Sequence, residues 1–260
     1  MKRIHPSAIV DSGAELADGV EIGPFCVVGP HVRLAEGVSL RSHAVVTGHT
    51  EVGAGSVIFP FATVGEIPQD VKYKGEPTRL TIGARNVIRE QVSIHPGTAA
   101  GGGTTRVGDD NLLLVNVHIG HDCNVGSHVI MANNVMLAGH VIVEDYAYLA
   151  GGVAVQQFVR VGESVMVGGM SGLMQDAAPF TLANGFPARI VKMNRINLER
   201  RGFSKERIDA VERAFRLIFR EGLHSREAFA AVRAELPDSA EAERMVAFLE
   251  KSERGFARRR

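Results

Sequence analysis

Residues 10–64 read VDSGAELADGVEIGPFCVVGPHVRLAEGVSLRSHAVVTGHTEVGAGSVIFPFATV, and every sixth position gives Val10, Leu16, Ile22, Val28, Leu34, Leu40, Val46, Val52, Ile58 and Val64. With 45% apolar residues in the chain, such an unbroken series of ten arises by chance about once in several thousand starting points. The series resumes at Ile82, Ile88 and Ile94. After a shift of one residue it runs from Val107 through Leu113, Ile119, Val125, Met131, Leu137, Val143, Leu149, Val155, Val161 and Val167 to Leu173. A period of six is neither the 3.6 of an amphipathic helix nor the alternation of an ordinary strand. Each hexad reads instead as one short strand and a turn. Gly often follows the aliphatic residue (Gly23, Gly29, Gly53, Gly65, Gly126, Gly162), and small residues recur four positions after it (Ala14, Cys26, Ala44, Ser56, Ala62). Three hexads close a triangular coil, and about ten coils stacked at roughly 4.8 Å bury a column of aliphatic side chains.

The repeat is interrupted at residues 66–80 (EIPQDVKYKGEPTRL) and 99–105 (AAGGGTT), which read as loops expelled from the coil. Loops held by a rigid scaffold are frequent carriers of binding groups. The hexads stop near residue 192, where helical signals begin. Ser204 is a candidate N-cap flanked by Phe203 and Ile208, ahead of Val211, Phe215, Ile218 and Phe219 on one helical face. Asp238 with Glu241 reads as a second capping box, and Ser225 as the cap of a short helix between them. The expected organisation is a β-helical unit over 1–191 and a small α-helical domain over 192–260.

Composition narrows the function classes. The chain has 29 Lys+Arg and 29 Asp+Glu, which argues against a strongly basic nucleic-acid binder. Residues 192–260 hold 17 Lys/Arg against 12 Asp/Glu, so a positive excess collects in the tail, either on solvated helix faces or facing phosphates or an acidic protein. No apolar run approaches a secretory core or a membrane span, so a cytoplasmic protein without stable membrane insertion is expected. Cys26 and Cys123 are too few for a disulfide framework or a four-thiolate metal site, and both fit small core positions.

Four of the ten histidines, His95, His118, His121 and His140, lie within 46 positions. His121, Gly139 and Gln157 recur at 18-residue intervals, which stacks them in one column of neighbouring coils with His140 beside it. A ladder of turn histidines is one reading of this. The other is catalytic: an imidazole titrating near neutrality suits proton removal from a hydroxyl, and a Gly amide suits the oxyanion of a collapsing thioester. Asp122 is placed to orient the His121 ring or stabilise its imidazolium. Alternation along the strand points Cys123 to the opposite face, which disfavours a covalent acyl-enzyme.

The strings IGPFCVVGPHV, VGEIPQDVKYKGEPT, IHPGT, NVHIGHDCNVG, NNVMLAGHV, VMVGGMSG and ERRGFS resemble those of bacterial UDP-N-acetylglucosamine O-acyltransferases, which open lipid A synthesis, and the likeness runs over nearly the whole chain. It implies a left-handed parallel β-helix and a homotrimer with sites between subunits. The implied reaction moves a 3-hydroxyacyl group from acyl carrier protein to UDP-N-acetylglucosamine, with no cofactor and no metal. By matching position, the resemblance implies His121 as general base on the sugar 3-hydroxyl and the Gly139 N–H as oxyanion donor. Gln69, Asp70, Lys72, His95, His118, His140 and Gln157 would hold the sugar and its phosphates. Asn194, Arg200 and Arg201 would reach the nucleotide from the start of the helical domain, and Gly169 would line the acyl groove. Two departures stand out: Gln156 occupies a position where the family commonly has His, and Gly185–Arg189 lacks a His found near the groove end in some members. Rival readings are a 3-amino acceptor, a hexapeptide-type zinc carbonic anhydrase using His95, His118 and His121, and a non-catalytic scaffold.

Overall fold

In the computed structural model, which describes residues 1–258, the hexads form a left-handed parallel β-helix with three flat faces. The first face has 11 strands and starts at Arg3–Ile4, the second has 9 and starts at Ile9–Val10, and the third has 8 and starts at Glu15–Leu16. The ladders along the coil are parallel, and an uninterrupted coil advances 18 residues, as in Arg3↔Glu21, Leu112↔Ile130 and Tyr148↔Met166. In most two-residue strands the second residue turns inward. Val28, Leu40, Val46, Ile58, Val64, Leu113, Ile119, Leu137 and Leu149 are all essentially inaccessible. The small residue four positions later fills the corner, and Cys26, Ala44, Ser56 and Ala62 are completely buried.

Sharp corners require a left-handed backbone at one turn position, and this chain places ordinary residues there, including Phe25, His43, Phe61, Asn116, Asp122, Asn134, His140 and Phe158. Residues of this kind at φ near +60° carry a modest strain, lowest for Asn and Asp. The repetition of identical corners and ladder bonds over-determines them.

Inside the coil two asparagines do the work of a backbone ladder. Asn86 is completely buried, and its Nδ2 donates to the Gly83 and Gly108 carbonyls at 2.9 and 2.8 Å, while Oδ1 accepts from the Asn111 amide at 2.9 Å. Asn111 repeats the pattern with Gly126 O and Val129 N. Asn86→Ala strands two backbone groups, Gly108 O and Asn111 N, while Gly83 O keeps its bond from Ser56 Oγ, so it should destabilise the fold by about 2–4 kcal/mol. Asn124→Ala, at an exposed strand position with no side-chain hydrogen bond among the described residues, should change stability by less than about 0.5 kcal/mol. Chemical denaturation of both variants checks the contrast, and equal midpoints would contradict it.

On the first face the strands continue through Thr181–Asn184 and the antiparallel Arg189–Met193, so the expected 191/192 division falls inside the last strand. Helices α1 (Arg195–Arg200), α2 (Lys205–Phe219), α3 (Ser225–Glu235) and α4 (Ala240–Glu250) follow. Ser204 caps α2, its hydroxyl accepting from Arg207 N. The other two expected caps are each one residue out. His224 caps α3 where Ser225 was expected, and Ser239 caps α4 where Asp238 was expected, because the hydroxyl of Ser239 reaches Ala242 N. Glu241 pairs instead with Arg207 of α2. The helices are tied to the coil by Arg201, which donates to Glu163 and Ser164 at 2.6 Å and lies over the Tyr146 ring, and by Arg244, whose Nε is 2.8 Å from Glu163. No helix among the described residues is long and apolar enough to cross a membrane.

Candidate active site

Both interruptions of the repeat leave the coil at the corner between the second and third faces, directly before the His121 turn at that same corner. Strands Arg79–Ile82 and Thr104–Val107 already occupy the ends of the expected loops, shortening them. His95 fixes the first loop: it is 6% exposed, and its Nδ1 meets the Glu66 and Ile67 carbonyls at 3.1 and 2.8 Å. That bond makes Nδ1 the protonated nitrogen and leaves Nε2 as an acceptor. Asp70 closes a turn by accepting from the Lys72 amide at 2.9 Å, and Gln69 and Lys72 are exposed. The 99–105 segment forms a short 3₁₀ turn over Ala99–Gly101.

The column expected from the 18-residue spacing is present. His140 N donates to His121 O at 2.9 Å and Phe158 N to Gly139 O at 3.3 Å, so the three turns stack directly. Asp122, His140 and Phe158 take the left-handed position of their turns, and the His140 and Phe158 rings stack at 4.4 Å. His121 Nδ1 lies 2.8 Å from Asp122 Oδ2, and that carboxylate is only 1% exposed. An ionised carboxylate at that depth holds the imidazole with Nδ1–H toward it, leaving Nε2 as the free basic nitrogen. The ring lies against Gly139: a Cβ built there would meet Cε1 at 2.5 Å and Nε2 at 2.6 Å. The imidazole therefore packs against the Gly139 turn, and the Gly139 N–H has no acceptor among the described residues.

His118 projects from the second face one rung before Met136 and bonds Ser93 Oγ through Nδ1 at 2.8 Å. Burial lowers its pKa, and the neighbouring His95 and His121 lower it further. Burial likewise lowers His140, against the opposing pull of the Asp122 and Asp70 carboxylates. Both rings are thus neutral at neutral pH, fit to exchange hydrogen bonds with hydroxyls. Cys123 is buried, with its thiol pushed up to about 12 by desolvation, which removes it as a nucleophile.

Within one chain His95, His118 and His121 do not converge as a metal site. Ligand atoms of His121, Asp122 and His140 do lie within 4.8 Å of one another. The two Asp122 oxygens, however, already accept from Thr98 N, Thr98 Oγ1 and His121 Nδ1, so an ion would have to break those bonds.

The residues expected to reach a nucleotide sit elsewhere on the chain. A cavity of about 860 Å³ between the first face and the helices is lined by Ile130, Tyr148 and Met166 and by Lys192, Asn194, Arg195, Arg200, Arg216 and Arg220. Arg195 is paired with Glu212, whereas Lys192, Arg200, Arg216 and Arg220 have no ion-pair partner among the described residues. The excess positive charge of the tail is gathered here, a concentration that counting charges along the sequence does not reveal. Asn194 and Arg201 are committed to the joint: Asn194 Nδ2 donates to Ser164 O at 2.8 Å, and Arg201 grips Glu163. Gln157 is exposed on the same column as His121 and Gly139. Gly169 stands at the other corner of the second face, with Met170 and Phe186 largely exposed near it.

Comparison with known proteins matches residues 176–257 to the second domain of the UDP-N-acetylglucosamine O-acyltransferase family. LpxA from Acinetobacter baumannii is 44% identical, with a TM-score of 0.95 over 98% of this chain and 99% of that one. LpxA of Bacteroides fragilis, a UDP-N-acetylglucosamine acyltransferase, is 39% identical, with a TM-score of 0.95 over 98% and 100%. The Arabidopsis UDP-N-acetylglucosamine acyltransferase is 32% identical, with a TM-score of 0.86 over 98% and 99%. Coil, loops and helical tail are matched together at such identity, so the chain is an acyltransferase and belongs to the UDP-N-acetylglucosamine O-acyltransferase family.

Proposed function

We propose that this protein transfers an (R)-3-hydroxyacyl group from acyl carrier protein to the 3-hydroxyl of UDP-N-acetylglucosamine, the first step of lipid A synthesis, in the cytoplasm. The observation that carries the mechanism is the His121 imidazole, anchored at Nδ1 by Asp122 and lying against the Gly139 turn with Nε2 unbonded. Nε2 takes the proton of the sugar 3-hydroxyl as its oxygen attacks the thioester carbon. The tetrahedral oxyanion is met by the Gly139 N–H. Collapse breaks the C–S bond, and the leaving thiolate takes the proton back from His121, giving the 3-O-acyl sugar nucleotide and the free carrier thiol. Asp122 stabilises the transient imidazolium. Gln69, Asp70 and Lys72 of the first loop, with His95, His118, His140 and Gln157, bound the sugar side.

The phosphate side requires another copy of the chain. The catalytic column stands at the corner of the second and third faces, whereas the cationic cavity with Arg200 opens over the first face. Both halves are used at one site when copies assemble, as in the homotrimer that the family resemblance implies. Arg200, with its planar fork, is the unpaired residue suited to a diphosphate. The remaining cations around the cavity suit the acidic carrier. Mixed assemblies test this directly. His121→Ala and Arg200→Ala homotrimers should each be impaired, and co-refolding equal amounts should restore about a quarter of wild-type activity by random assortment across shared interfaces. No recovery on mixing would contradict a site built from two chains.

Gly169 borders the acyl groove in this arrangement. A Cβ added there meets Gly151 O at 3.4 Å, an ordinary van der Waals contact, so a side chain can be accommodated. Gly169→Met should shorten the preferred donor by several methylenes, each worth about 0.8 kcal/mol of burial. Comparing kcat/KM over a donor series reads this out. An unchanged length profile would assign the limit to Phe186 or Met170 and remove Gly169 from the groove.

A further inference from the structure

Asp122 is a nearly inaccessible carboxylate whose position decides how His121 is held, and its own surroundings come from the second interruption of the coil. Thr98 donates twice to it, from N to Oδ1 at 2.8 Å and from Oγ1 to Oδ2 at 2.7 Å. The Asp122 amide donates to Thr105 Oγ1 at 2.8 Å. Thr98 Oγ1 also accepts from Gly101 N at 3.2 Å, closing the 3₁₀ turn, and the Gly101 Cα lies so close that a Cβ there would overlap the carboxylate. Thr98, Gly101 and Thr105 form a socket around the anion; His121 and Thr98 hydrogen-bond to Oδ2, and His140 Nε2 stands farther off at 3.8 Å. A buried carboxylate left with fewer donors rotates toward water or takes up a proton, and either change releases the His121 ring.

We infer that Thr98 is a positioning residue for this reaction: through its two bonds to Asp122 it keeps His121 in the Nδ1–H tautomer with Nε2 free to accept a proton. This rests on the reading of His121 as the base. Removing the hydroxyl in Thr98→Val leaves Asp122 with one donor fewer and the turn uncapped. Gly101→Ala leaves Thr98 intact but pushes the carboxylate out of its socket. Gly101 does not use a left-handed φ, so its backbone tolerates Ala.

The test uses the full-length assembled protein with ¹⁵N-labelled histidine, in the wild type and in Thr98→Val, Thr98→Ser and Gly101→Ala. The wild type should show His121 as a single Nδ1–H tautomer. Thr98→Val and Gly101→Ala should show mixed tautomers and, in steady-state kinetics, a kcat lower by about tenfold with KM for the sugar nucleotide within about twofold. Thr98→Ser should recover both readouts. Wild-type tautomer in folded Thr98→Val and Gly101→Ala would overturn the inference, as would loss of kcat in Thr98→Val that Thr98→Ser fails to restore. The NMR readout needs no substrate, so it decides the role of Thr98 even if the donor or acceptor proposed above is wrong. Activity retained by His121→Ala would instead sink the base assignment alone.

Discussion

His121→Ala lowers kcat by about 10²-fold or more while the protein keeps its fold and oligomeric state. The magnitude follows from the loss of proton removal in the transition state, for which a positioned base contributes about 10²–10⁴-fold. The intact fold follows from the location of the ring at a turn on the outside of the coil, where it fills no core volume, while the hexad residue of the preceding strand, Ile119, stays completely buried. Truncation also leaves the Asp122 carboxylate with its two bonds from Thr98, so the buried anion is not stranded. Steady-state kinetics with sedimentation analysis checks both halves. A variant retaining more than about a tenth of wild-type kcat in its normal assembly would remove His121 as the base.

Gly139→Ala is expected to cost as much as losing the base, although it adds one methyl and touches no titratable atom. That methyl would sit 2.5 Å from Cε1 and 2.6 Å from Nε2 of His121, closer than carbon atoms approach, so the ring must swing aside. Swinging breaks the 2.8 Å bond to Asp122 and carries Nε2 away from its place against the Gly139 turn. The Gly139 backbone is outside the left-handed region and accepts Ala without strain, so the effect stays at the site. Expected results are a loss of about 10²-fold in kcat and a change in unfolding free energy of less than about 1 kcal/mol. Comparable losses of stability and activity would mean that the glycine serves the coil and not the reaction.

Gly139 illustrates what the sequence makes legible. Arithmetic on a period of 18 placed it one coil above His121, and the stacked turns follow that register. The interruptions at 66–80 and 99–105 were visible as breaks in the aliphatic series. What they hold was not, because an insertion of arbitrary length destroys register. Thr98 meets Asp122 across 24 residues and His95 meets Ile67 across 28, neither of them the 18-residue step of the uninterrupted coil. The helical tail has no register with the coil at all, so sequence reasoning grouped Asn194, Arg200 and Arg201 without distinguishing them. Packing separates Arg200, which lines the cavity with no ion-pair partner among the described residues, from Asn194 and Arg201, whose side chains bond Ser164 and Glu163 and join the two units. The helix caps missed by one residue reflect adjacent candidates, Asp238 beside Ser239 and His224 beside Ser225, whose competition is settled by backbone geometry and not by residue type.

Donor, acceptor and site of acylation are tested together by mass and fragmentation analysis of the product formed from UDP-N-acetylglucosamine and (R)-3-hydroxyacyl carrier proteins of graded chain length. The expected result is a single O-acylated sugar nucleotide carrying the ester at the 3-position, stoichiometric release of the free carrier thiol, and no product from the 3-deoxy sugar nucleotide. Absence of acyl transfer at every chain length, or equal acylation of the 3-deoxy analogue, would contradict it.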